Sequence, residues 1–148
     1  MKAVLPFIVV FLCLFTFYQA MIPGIPLDDY AGIWVNEDSN GNVTSLVITV
    51  NDTRVEVQAF GNCDPLECKW GRVNGKPYAS ATGAPIWVTN AVEAEFHPEP
   101  GTPKQITHKL IITPAGDHHL QVRNQTTNYG QPGGNTRIKT FRFRKSGP

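Results

Sequence analysis

The sequence predicts an all-β, antiparallel domain of about eight short strands, closed as a barrel or stacked as a sandwich. Three observations predict it. Apolar and polar residues alternate with period two in most segments of the chain. No window beyond residue 20 carries a 3.6-residue apolar period over three turns, the pattern a packed helix requires. Short clusters of Gly, Pro, Asn and Asp punctuate the alternating runs, as turns between antiparallel strands do.

Each element follows from the residues. Residues 32–36 (GIWVN) form a first strand, and 44–50 place Leu46, Ile48 and Val50 on one face. After Asn51-Asp52, residues 53–60 set Val55, Val57 and Ala59 against Arg54, Glu56 and Gln58, which predicts a tight hairpin. Residues 68–73 make a short strand, 76–85 read as loop, and 86–96 carry Ile86, Val88 and Val92. His97 to Pro103 holds three prolines and a glycine and reads as a turn. Residues 105–113 and 118–123 form a second hairpin across Pro114-Ala115-Gly116-Asp117. The polar stretch 124–136 reads as flexible loop, and 137–144 closes the domain with Ile138, Phe141 and Phe143. The interior candidates are Ile48, Val57, Trp70, Trp87, Val88, Ile112, Val122 and Phe141.

The chain is 148 residues long, which suits one folded domain over residues 21–148 behind a leader. Lys2 precedes an uncharged apolar run, Leu5 to Tyr18, and Ala20 supplies a small residue for cleavage. That is the signature of a secretory signal peptide over residues 1–20, with the cut falling between residues 20 and 24. The expected protein is therefore extracellular and free of the membrane after cleavage. Its formal net charge is +1, and loss of Lys2 brings it to zero. A balance so close to neutrality gives no electrostatic basis for nucleic-acid binding.

Without Cys13, the cysteines are Cys63 and Cys68. An oxidising compartment predicts a disulfide between them. Closing so short a loop contributes roughly 2 kcal/mol on chain-entropy grounds. No second Cys pair completes a zinc site, and the spacing is not C-x-x-C. Sequons begin at Asn42, Asn51 and Asn124, all in predicted turns or loops, and are glycosylation candidates.

Asp29-Tyr30-Ala31-Gly32-Ile33-Trp34 stands before the first strand. It resembles the G-x-W opening of the calycin superfamily (lipocalins, fatty-acid-binding proteins and avidins). The resemblance implies a barrel with Trp34 closing one end and an Arg of the last strand, Arg142 or Arg144, lying over its ring. Such a stack is worth about 0.5–2 kcal/mol. Trp34-Val35-Asn36 with Phe60 to Gly71 also resembles a group of small secreted proteins sharing a G-x-C-x-P-x-x-C-x-W-G core. That likeness implies a strand, a disulfide-clipped turn and a return strand, and no activity.

The histidines, His97, His108, His118 and His119, show no metal-binding spacing. His108 meets His118 or His119 only if their strands pair at the right register. There is no nucleophile elbow and no phosphate-binding loop. Glu93 and Glu95 share a strand face and do not oppose each other across a cleft, as glycosidase carboxylates do. The sequence thus assigns no catalytic residue, metal ligand or cofactor. It points to a secreted, glycosylated barrel that binds a small hydrophobic ligand. The alternative is an extracellular matrix protein with a filled interior and no small-molecule ligand.

Overall fold

The computed structural model describes residues 24–63, 66–97, 105–130 and 134–147, excluding the side chains of Cys63 and Leu66. The expected leader, residues 1–20, lies outside them. The strands are β1 (Ile25–Pro26), β2 (Gly32–Asn36), β3 (Val43–Asn51), β4 (Arg54–Cys63), β5 (Leu66–Ala79), β6 (Val88–Phe96), β7 (Ile106–Pro114), β8 (His119–Asn128) and β9 (Asn135–Ser146). A single 3-10 turn, Leu27–Tyr30, precedes β2.

Strands β2 to β9 pair in chain order, each antiparallel to the next, and β9 returns to pair with β2. The result is a closed eight-stranded up-and-down barrel, with β1 appended to β6. The sandwich alternative is thereby excluded. Closure leaves the barrel strands paired around a ring, so the period-two pattern has one dry and one wet face.

The alternation explains the core. Leu46 and Ile48 on β3, Val55 and Val57 on β4, Leu110 and Ile112 on β7, and Leu120 and Val122 on β8 all point inward and are buried. Each such side chain contributes about 1.5–3 kcal/mol of transfer free energy. Gly75 occupies an inward position where a Cβ would lie 2.9 Å from Val92 Cγ1 and 3.0 Å from Val55 Cγ1. The missing side chain there makes room for its valine neighbours.

One end of the barrel is shut. Tyr30, the last residue of the 3-10 turn, and Trp34 are both buried there. The Trp34 indole Nε1–H donates to the Tyr30 carbonyl at 2.8 Å, and the Tyr30 hydroxyl donates to the Thr89 carbonyl at 3.4 Å. Burial pushes the Tyr30 phenol well above its ordinary pKa, so it stays protonated.

The cation over Trp34 is Lys145, with Nζ 5.3 Å from the ring centroid, rather than the expected Arg142 or Arg144. Parity on β9 is the reason. Phe141 and Phe143 face inward, so position 145 does too, and Arg142 and Arg144 project outward. Arg142 Nε instead pairs with Glu37 at 3.2 Å on the outer wall.

Several expected boundaries move. The β3–β4 hairpin turns at Asp52-Thr53, with Asn51 paired to Arg54, and Asp52 takes the left-handed conformation at φ 60°. Trp87, an interior candidate, is 65% exposed because it sits in the turn before β6. Residues 76–79 extend β5, and 124–128 with 135–136 extend β8 and β9. Cys68 is disulfide-bonded and pairs in register with Gly61 on the adjacent strand.

Candidate functional site

The other end of the barrel carries the candidate site. Strands β7, β8 and β9 run in unbroken register there, so their inward residues form rows across the sheet. The two deepest rows place Ile112 beside Val122 and Phe141, then Pro114 beside Leu120 and Phe143. One step towards the opening, Leu110 lies beside Asn124 and Lys139. The next row is His108, Thr126 and Arg137, and the outermost is Ile106, Asn128 and Asn135. The wall therefore grades from wholly apolar to polar and cationic as it nears solvent.

Across the mouth, a bulge shapes the facing wall. Ala59 pairs with Gly71 and Phe60 with Lys69, which leaves Trp70 as the extra residue. Gly71 takes φ 98°, a conformation that costs other residues strain. Trp70 packs against the core and lies over Gly61, where any Cβ would collide with the indole Nε1. Its ring stacks on His108, with centroids 3.8 Å apart and planes at 21°, and meets Phe96 edge-on at 6.0 Å. Phe96 is the cross-strand neighbour of His108 on β6.

His108 is held in place on two sides. Its Nδ1 lies 3.2 Å from Thr126 Oγ1, and Trp70 covers its face. Burial lowers the imidazole pKa below its ordinary value, and nearby Asn124 offsets part of that effect. The ring is therefore neutral at pH 7.

Asn124 is the unusual group. It is 1% exposed, and its Nδ2 donates to Asn42 Oδ1 at 3.4 Å. Its Oδ1 faces the His108 imidazole, whose protonated form it favours, and meets no other donor. One row nearer the rim, a cavity of about 230 Å³ opens, lined by Ile106, Thr126, Asn128, Asn135 and Arg137.

These positions revise the expected site residues. Asn124, a glycan candidate, points into the barrel, where a sugar chain has no room in the folded domain. The Asn42 side chain is turned towards Asn124, and Asn51 alone of the three is exposed. His108 lies at the mouth, whereas His119 sits on the outer wall near the shut end, its Nε2 3.6 Å from Glu37 Oε1. The metal arrangement considered for them is therefore not formed. Among the described residues, no group of three His, Cys, Asp or Glu side chains is placed to hold a metal ion.

Asn124, Thr126 and Asn128 escaped the sequence reading because polar residues on both faces erase the alternation that marks a strand. The signal that could have found them is the length of the preceding strand, since β7 needs a partner out to Ile106. No family model, curated protein or solved structure matches the chain.

Proposed function

We propose that this protein is a secreted, calycin-like binding protein that holds a small, largely apolar ligand at the open end of its barrel. Ile106 supplies the apolar contact, backed by His108 with Trp70 stacked on it, and Thr126, Asn128, Asn135 and Arg137 orient the ligand. The shut end, with Trp34 of the G-x-W opening under the 3-10 turn, supports the calycin-like reading. The Leu5 to Tyr18 run and the exposed acceptor Asn51 support secretion with one N-linked glycan.

The observation that carries the reading is the rim cavity of about 230 Å³, where Ile106 meets the polar side chains of Thr126, Asn128, Asn135 and Arg137. Ligand sites combine apolar walls with a few placed polar groups, as this rim does. The cavity is small, so short-chain or single-ring molecules fit it better than long lipids.

Isothermal titration with 1-octanol tests the proposal. Saturable one-site binding is expected, and Thr126→Phe, which fills the cavity wall, should abolish it with the melting transition retained. Absence of saturable heat from the unsubstituted protein would overturn the reading.

A further inference from the structure

We propose that the open flank of β9 from Thr136 to Thr140 is a docking edge that takes up an extended acidic peptide as an added strand. Such docking needs no ligand in the barrel, because backbone groups carry it. β2 pairs with β9 only from Phe143 to Ser146, and the last bond on that flank runs from the Glu37 N–H to the Arg142 carbonyl at 2.9 Å. On the opposite flank the Lys145 N–H donates to the His118 carbonyl at 2.9 Å. Even-numbered residues of β9 therefore turn their backbone groups away from β8. Thr136, Ile138 and Thr140 share that parity, and among the described residues no strand pairs with them on that side. Residues 135–140 are all exposed, Ile138 by 51%. Their N–H and C=O groups form a row open to a further strand.

Side chains decide which strand can add. Arg137 and Lys139 share one face of the edge, and Ile138 stands on the other between Thr136 and Thr140. A second copy of the chain is the simplest occupant, and charge rejects it. Any register that mates the free backbone groups of two such edges sets 136, 138 and 140 against one another, so 137 and 139 meet 137 and 139 on one face. Like charges opposite each other destabilise the pairing. Among the described residues, neither Arg137 nor Lys139 has an ion-pair partner. A strand with carboxylates two residues apart reverses the sign of both contacts, and a β-branched residue between them covers Ile138. Main-chain hydrogen bonds then give affinity, and the alternating carboxylates give choice.

The probe is a fluorescein-labelled Ser-Thr-Glu-Val-Glu-Thr-Ser peptide, titrated with the folded protein and followed by fluorescence anisotropy. Saturable binding is expected, with slowed amide exchange at Thr136, Ile138 and Thr140. Replacing both Glu of the peptide by Lys should weaken binding about tenfold. N-methylation of the peptide's Val, which removes the N–H that donates to the Ile138 carbonyl, should weaken it about tenfold as well. Ile138→Pro deletes a donor on the open flank without touching the β8 ladder, and should abolish binding. Arg137→Glu/Lys139→Glu should transfer the preference to the Lys peptide. Equal binding of the N-methylated peptide would overturn strand addition, and equal binding of the Lys peptide would overturn the acidic partner. Dimers in sedimentation velocity that Ile138→Pro dissolves would assign the edge to a second copy and refute the proposal. Absence of a saturable anisotropy change would refute it outright.

Discussion

Replacing Trp34 by Phe removes two contributions at the shut end that can be sized from the structure. The indole N–H is lost, and the Tyr30 carbonyl that accepts it at 2.8 Å is left without its donor in a buried setting. An unpaired buried acceptor costs about 1–3 kcal/mol. The smaller ring also leaves a void at a position only 2% exposed, worth about 1–2 kcal/mol by analogy with other core truncations. The expected loss is therefore about 3 kcal/mol. Urea unfolding followed by far-UV circular dichroism measures it, with an unchanged denaturant slope showing that both end states are comparable. Lys145→Met keeps the aliphatic stem and removes the charge lying 5.3 Å from the ring centroid. A double-mutant cycle between the two positions should give a coupling of about 0.5–1 kcal/mol. The same cycle with Arg142→Gln or Arg144→Gln should give none, since both project outward. A loss below about 1 kcal/mol for Trp34→Phe, or coupling to Arg144 in place of Lys145, would refute the assignment of Trp34 as the plug.

Three further outcomes are expected. Gly75→Ala should destabilise the barrel by about 1–3 kcal/mol, because its Cβ meets Val92 and Val55 at 3.0 Å or less; unchanged thermal melting would contradict that packing. Burial depresses the pKa of His108 in the folded state, so the unfolded chain binds the proton first as pH falls. The stability linked to this group is complete above the ordinary histidine pKa and is lost as pH drops towards the folded value; His108→Phe, which keeps a ring on Trp70, should flatten that part of the urea-midpoint profile between pH 7.5 and pH 5. In protein secreted from a eukaryotic host, Asn51→Gln should remove a glycan by intact mass, and Asn124→Gln should leave the mass of attached sugar unchanged.

The barrel's strands were legible wherever one face is dry. Leu46, Ile48 and Val50 against Val55, Val57 and Ala59 announce a hairpin, and the structure pairs Ile48 with Val57 across it. The candidate site was illegible for the complementary reason. At the mouth the inward row is Asn124, Thr126 and Asn128 facing Lys139, Arg137 and Asn135, so both faces are polar and the segment reads as loop. Trp70 was recognisable as a landmark, but its inward turn depends on its being the extra residue of a one-residue bulge, next to Gly71 at positive φ, which shifts parity without a compositional trace. Lys145 was missed through parity as well, because a cation over Trp34 was sought at positions whose side chains leave the barrel.

The meander arrangement has a consequence for how the chain is made. Seven of the eight seams join strands that follow one another, whereas the eighth sets residues 33–36 against residues 143–146. During synthesis the early hairpins can assemble as they emerge, but the ring stays unzipped until residues 143–146 clear the ribosome. Until then β2 presents an unsatisfied backbone edge and the Trp34 plug has no lysine above it. A truncation before Lys145 would lock the polypeptide in that half-made, self-adhesive form.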